Sequence, residues 1–150
     1  PGGLSLWIPL PLLFPDDDVW PLMDQVMLGP SLLVAPVVTE GATSRAVTFP
    51  SARFASFFGD GRVVEGPTTI DVDAPVAEIP VFVRAGGIVP MLAEPVDTLL
   101  DDVDGLRDLS DTEGDRAVLV GAGADGAFVE ETRLTHGSTG RLGELTGLES

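Results

Sequence analysis

The side chains best suited to chemistry are carboxylates, and they occur in local clusters. Asp16, Asp17 and Asp18 are consecutive, and Asp71 and Asp73 alternate along a strand-like stretch. General acid–base catalysis by carboxylates needs two of them facing across a cleft, with one kept protonated. Neighbours in a loop more often cap a turn, and alternate residues on a polar strand face more often meet solvent. We therefore predict a turn cap and a solvated sheet face, with catalysis as the less favoured alternative.

The remaining ionisable groups give no stronger signal. Glu130-Glu131 and the acidic stretch 101–115 are typical of solvated surface, and no D-x-[DN]-x-[DN]-G calcium loop is present. His136 is the only histidine, which excludes a multi-histidine metal site within this chain, and the lack of cysteine excludes thiolate chemistry. We predict no catalytic, cofactor-binding or metal-binding residue, and no cofactor.

A glycine-rich stretch, "GAGADG" at 121–126, has the spacing of a phosphate-binding loop. A strand-like run follows it, whereas phosphate binding needs the amides of a helix N-terminus. We predict a hairpin turn here, between strands Ala117–Val120 and Phe128–Glu131.

Five aromatic side chains could stack on a ring-shaped ligand, but aromatic residues at such spacings more often form core. They are Trp7, Trp20, Phe54, Phe57 and Phe58. Arg84 interrupts an apolar run just before a double glycine, where a charged group must find a partner. For Arg84 we predict an ion pair or a hydrogen bond to a neighbouring loop.

The overall charge limits the partners. The 150 residues include 24 Asp and Glu against 8 Lys and Arg, giving a net charge of −16, which phosphate backbones and anionic membranes would repel. The longest apolar run, 4–14, is too short to span a membrane and contains prolines. We predict no nucleic-acid partner and no membrane span. Because Pro1 is followed almost at once by a strand-like run, we expect a fragment whose N-terminal neighbour is missing.

Proline and glycine divide the chain into short elements. Residues 4–14 are predicted to be extended and 15–25 a loop or helical turn, before a buried strand at 32–38 that follows the Gly29-Pro30 turn. Further strands are predicted in 43–50, in 52–62 running into the turn Gly59-Asp60-Gly61, in 68–75, and in 79–91 on both sides of Gly86-Gly87. The close spacing of these strands predicts a mainly β fold, a small antiparallel β-sandwich. From Thr135 onward we predict a flexible tail.

Three of these segments together resemble glycoside hydrolase family 31, which includes α-glucosidases and α-xylosidases. Residues 24–38, "DQVMLGPSLLVAPVV", residues 41–50, "GATSRAVTFP", and residues 79–90, "IPVFVRAGGIVP", match three consecutive family motifs in order and spacing. The resemblance implies that 1–39 form the end of a catalytic (β/α)8 barrel, with 32–38 as a parallel barrel strand. It further implies that 40–95 form the proximal C-terminal β-sandwich and 96–150 the start of a partly disordered distal region.

The same resemblance implies a non-catalytic role for this chain. The family uses one aspartate as nucleophile and another as acid/base, and the W-x-D-M-N-E and G-D-x-x-x-x-W motifs that carry them are absent here. Both aspartates would lie upstream of Pro1. The implied partner is the N-terminal catalytic barrel of the same polypeptide, with an α-glucoside or oligosaccharide as substrate of the full-length protein.

Two alternatives remain open at this point. The aromatic residues allow a stand-alone carbohydrate-binding β-sandwich, and the missing start allows a non-functional gene remnant. A barrel edge without its barrel would also expose Leu10, Leu12, Leu13 and Phe14 and cause self-association.

Overall fold

The computed structural model describes residues 6–58, 61–98, 104–108 and 116–124. Within them lie one helical turn, α1 Leu10–Leu13, and strands that all pair antiparallel. The strands are β1 Trp7–Pro9, β2 Val26–Leu28, β3 Leu32–Val34, β4 Ser44–Phe49, β5 Arg53–Ser56, β6 Val63–Glu65, β7 Thr68–Asp73, β8 Val81–Arg84, β9 Ile88–Leu92 and β10 Arg116–Val120. The mainly β, antiparallel fold expected from the sequence is confirmed.

The larger sheet has six strands in the order β1-β2-β3-β8-β5-β6. Gly29, with φ of 58°, lies in the short turn that joins β2 to β3, a backbone conformation that glycine adopts without strain. A turn this short makes the two strands antiparallel, and β8 on the other side of β3 is antiparallel as well. The expectation of a parallel barrel strand at 32–38 is therefore wrong. The division at residue 39 stays a prediction, although pairing of β3 with β8 crosses it.

The second sheet, β4 with β7, packs over the first through phenylalanine side chains. Phe49 of β4 is fully buried, and its ring centroid lies 5.6 Å from that of Phe54 and 4.7 Å from that of Phe82. Alternate residues of β7 behave as predicted: Ile70 and Val72 are partly buried against the core. The two layers form the predicted sandwich.

The third sheet pairs β9 with β10. Pro90, expected at the end of its strand, lies inside β9 opposite Val118, where an edge strand tolerates the missing N–H. The described partner of β10 is β9, and the hairpin predicted between 117–120 and 128–131 stays a prediction. Residues 128–131 and the tail predicted from Thr135 lie outside the described residues.

The segment before β2 is more folded than an exposed barrel edge would be. Leu10 and Phe14 are buried, because residues four apart around a helical turn lie on one side, and here that side faces the core. The expectation that they are exposed is wrong. Leu13 is partly buried and Leu12 is exposed, as expected of the latter.

Gln25 joins the segment before β2 to the second sheet. Its buried side-chain Nε2 donates to the carbonyl of Thr48 at 2.5 Å, and the Thr48 N–H donates to Oε1 at 3.1 Å. The amide thus pairs with one residue of β4 as a neighbouring strand would. It satisfies two main-chain groups that would otherwise be unpaired.

Arg45 of β4 makes a second connection. Its Nη1 donates to the carbonyls of Asp24 at 2.8 Å and Pro36 at 2.5 Å, and Nη2 contacts Asp24 Oδ2 at 2.9 Å. The side chain of Arg45 is only 10% exposed and that of Asp24 is 44% exposed, so water reaches the ion pair from the carboxylate side. One guanidinium holds together the loop before β2, the exit of β3 and the second sheet.

We expect Gln25→Met to lower the free energy of unfolding by about 2–3 kcal/mol, because it leaves the N–H and C=O of Thr48 without partners. Thr69→Val is the matched control. It removes an exposed hydroxyl that Thr48 Oγ1 contacts at 2.9 Å, which water can replace, and should cost about 0.5 kcal/mol or less. Urea unfolding of both variants measures the difference, and equal losses would refute the role given to Gln25.

Phe49→Ala is expected to lower the free energy of unfolding by about 3–5 kcal/mol, since it leaves a cavity between the two sheets. Phe58→Ala removes a ring of the same size that is 50% exposed and should cost about 1 kcal/mol or less. Thermal unfolding followed by circular dichroism compares them. Similar midpoints for the two variants would mean that the sheets are not held together through Phe49.

Candidate functional site

The aspartate cluster at 16–18 forms a structural contact. Both oxygens of the Asp17 side chain accept hydrogen bonds from Ser51, one from the N–H and one from the hydroxyl, each at 2.6 Å. Ser51 follows the end of β4, so Asp17 fixes the turn between β4 and β5. The side chain of Asp17 therefore caps a turn distant in sequence, whereas the prediction placed the capped turn within 15–25.

Asp71 and Asp73 lie exposed on the outer face of β7, as predicted for a solvated sheet face. Among the described residues, no group of three or more histidine or acidic side chains is placed to hold a metal ion. Glu130, Glu131 and His136 lie outside the described residues, and so does Asp60 of the predicted turn.

Within the described part of the chain, the side chain of Arg84 contacts an aromatic ring, and not the anion or loop acceptor that was predicted. Its guanidinium carbon lies 4.9 Å from the ring centroid of Phe14, a cation–π contact. Phe14 is buried and Arg84 partly so, which lets the ring face offset the loss of water around the charge. The contact joins the N-terminal segment to β8.

The described part of "GAGADG" has a packing role. The Gly121 N–H donates to the carbonyl of Gly87, and the Gly121 carbonyl accepts from Gly86. A Cβ added at Gly121 would lie 2.1 Å from the carbonyl oxygen of Arg84, so only glycine fits. Close backbone approach, and no helix N-terminus, explains this glycine within the residues that the structure describes.

The aromatic residues divide between core and surface. Phe54 is fully buried, as predicted, and Phe57 partly so. Trp7 and Trp20 are 56% and 67% exposed and Phe58 is half exposed, so the prediction of core is wrong for these three. Composition alone gave no signal for this difference, because exposure of an aromatic residue depends on which elements cover it.

Large exposed apolar side chains are frequent before β2. We name them the N-terminal apolar group: Leu6, Trp7, Leu12, Trp20 and Met23. Trp7 belongs to β1, the edge strand of the larger sheet, and Leu12 to the helical turn that follows. Exposed tryptophan on a folded domain is typical of an interface, where it buries a large area at low entropic cost.

An open cleft lies beside β7, between the two sheets. It has a volume of about 230 Å³, and β7 forms one wall while Val81 and Phe82 of β8 are on the other side. Its ionisable residues are Arg62, Asp71, Asp73 and Glu78, and its exposed apolar ones are Phe58 and Ile79. We name it the β7 cleft. The sequence did not single out Arg62 or Glu78, because nothing local shows that two loops distant in sequence share a cleft.

No helix in the described part of the chain is long and apolar enough to cross a membrane. The contacts of Asp17, Gln25, Arg45 and Arg84 are all structural. Within the described residues, the N-terminal apolar group and the β7 cleft are two surfaces available for recognition, and a further open cleft of about 240 Å³ lies beside Val38 and Arg45.

Comparison with known proteins agrees with the resemblance of the sequence motifs. An α-xylosidase of Saccharolobus solfataricus is 34% identical over 95 residues, which cover 63% of this chain and 13% of that protein. An α-glucosidase of Mucor javanicus is 31% identical over 94 residues, covering 59% of this chain and 11% of that protein. The crystal structure of a family 31 α-xylosidase from Xanthomonas citri matches 83% of this chain and 12% of its own, with 37% identity and a TM-score of 0.68.

The chain therefore spans about an eighth of the length of these relatives. Residues 3–89 match the family model described as the glycosyl hydrolase family 31 C-terminal domain. This match favours a C-terminal, non-catalytic domain over a stand-alone sugar-binding module or a gene remnant. Since it extends over more than half of the sequence, the chain belongs to glycosyl hydrolase family 31.

Proposed function

We propose that this chain supports the catalytic part of a longer family 31 glycoside hydrolase that acts on α-linked glucosides. The observation that carries the proposal is the match of residues 3–89 to the family's C-terminal domain. The motifs expected for the catalytic aspartates are absent from the sequence, so hydrolysis depends on a second part of the protein.

The N-terminal apolar group is the surface that would contact this second part. Trp7, Trp20 and Met23 are 56%, 67% and 92% exposed, while Ile8 and Val19 close by in sequence are buried in the core. Burying side chains of this size is worth about 2–3 kcal/mol each, enough for a few of them to hold two domains together. The unpaired edge of β1 would be covered by the same contact.

The division of the chain is part of the proposal. Residues 1–39 would lie against the catalytic barrel, 40–95 would form the proximal sandwich, and 96–150 would begin a distal region. The contacts of Arg45 with Asp24 and Pro36 support a firm connection between the first two parts, because a docking segment that moved freely could not position the sandwich.

The isolated 150-residue chain is expected to hydrolyse no α-glycoside, because it lacks both catalytic aspartates. Release of 4-nitrophenol from aryl α-glucoside and aryl α-xyloside measures this, with a full-length family 31 α-xylosidase assayed alongside. Turnover above the rate in buffer, lost on heating of the chain, would contradict the proposal.

The isolated chain is also expected to self-associate through the N-terminal apolar group. Replacing Trp7 and Trp20 together by serine should raise the concentration at which association begins by about tenfold or more. The matched control replaces Val63 and Val118, which are exposed apolar residues elsewhere, by serine as well. This variant should leave association unchanged. Sedimentation velocity over a concentration series distinguishes them, and equal behaviour of the two double variants would remove the docking role.

A further inference from the structure

One wall of the β7 cleft is an open strand edge. Both main-chain groups of Thr48 bond to Gln25, so they point away from β7. In an antiparallel pair, two residues opposite each other either both bond to the partner strand or both point their N–H and C=O groups away from it. These two arrangements alternate along the strands. Thr69 is opposite Thr48, and Asp71 and Asp73 follow in the same register. Their N–H and C=O groups face outward, and no other described strand pairs with β7.

The residues around this edge offer both donors and acceptors of hydrogen bonds. The carboxylates of Asp71, Asp73 and Glu78 accept, and the outward-facing N–H groups of β7, which no other described strand pairs with, donate. A ligand rich in hydroxyl groups can satisfy both kinds, since each hydroxyl donates and accepts.

An apolar surface lies next to these polar groups. Phe58 and Ile79 are 50% and 51% exposed and line the same cleft. The ring of Phe58 is held by a T-shaped contact with Phe57, with centroids 4.7 Å apart, and the Phe58 carbonyl accepts from the Ser56 hydroxyl at 2.5 Å. These two contacts position the exposed ring beside the cleft.

These features together define one ligand class. Three carboxylates against one arginine disfavour phosphates and other anions, and the charges around the cleft disfavour a fully apolar ligand. A sugar ring has hydroxyl groups on its rim and an apolar C–H face that packs on an aromatic side chain. We propose that the β7 cleft is a carbohydrate-binding site, separate from catalysis, that holds one sugar unit of an oligosaccharide.

The charges along the open edge favour a sugar over a polypeptide. Asp71 and Asp73 follow each other on β7, and charged residues on an edge strand disfavour pairing with another strand. The cleft, with a volume of about 230 Å³, has room for one sugar ring. An extended peptide pairing with the open edge of β7 is the competing occupant. The choice of α-linked glucose oligomers as probes rests on the proposed function, whereas the cleft and its chemistry do not.

Saturation-transfer NMR observed on the ligand tests the site and tolerates self-association of the protein. Maltotriose and isomaltotriose are the probes, with the 150-residue chain as it stands. We expect saturation of sugar protons by the wild-type chain, and at least about tenfold weaker binding for Phe58→Ala and for Asp71→Asn with Asp73→Asn. Trp20→Ala, which removes an exposed aromatic residue elsewhere, should bind as the wild type does.

Several outcomes would overturn the proposal. The first is that neither sugar receives saturation from the wild-type chain. The second is that Trp20→Ala loses the transfer while Phe58→Ala keeps it. The third is that an alternating Thr-Lys hexapeptide binds and neither sugar does. Thermal unfolding separates loss of the site from loss of the fold, since each variant should still unfold cooperatively well above the temperature of the NMR measurement. The hydrolysis assay is independent of this measurement, so a failed cleft leaves the proposed function standing, and a failed proposed function leaves the cleft result readable.

Discussion

The guanidinium of Arg45 is the interaction on which the arrangement of the two sheets depends. It contacts Asp24 before β2 and Pro36 after β3, while its own backbone belongs to β4. The polar contacts of Gln25 with Thr48 lie next to it and act in the same direction. Contact between Phe49, Phe54 and Phe82 stabilises the two sheets by burying apolar surface, but the hydrophobic effect is non-directional. The directed hydrogen bonds determine which residues of the two sheets lie opposite each other.

The position of the cleft follows from this arrangement. Gln25 bonds to the outer edge of β4, whereas no described strand pairs with the outer edge of β7. A two-stranded layer over a six-stranded sheet also leaves part of the larger sheet uncovered, and the cleft lies at that margin. At the other end of the larger sheet, β1 is an edge strand and carries the exposed Trp7. Both candidate recognition surfaces thus lie at strand edges.

Local pattern predicted the strands well, because alternation and turn residues act over a few neighbours. The buried positions Val47 and Phe49, the solvated positions Asp71 and Asp73, and the strands on each side of Gly86-Gly87 were all predictable in this way. The direction of β3 was not, since a short apolar run fits a parallel or an antiparallel sheet equally well. The exposure of Trp7 and Trp20, the ring partner of Arg84 and the cleft residue Arg62 depend on contacts between segments far apart in sequence. Membership in the family could be predicted from the sequence only through the resemblance of its motifs.

Pairing of β3 with β8 joins residues 32–34 to 81–84 in one hydrogen-bonded sheet. β3 and the sandwich therefore form one folded unit. A recombination between two family members with its crossover near residue 39 would combine one half of a sheet with another half whose contact residues had diverged. Chimeras that exchange residues 6–98 as a block keep these contacts. An exchange of one half alone keeps them only if the residues that it contacts in the other half are replaced as well.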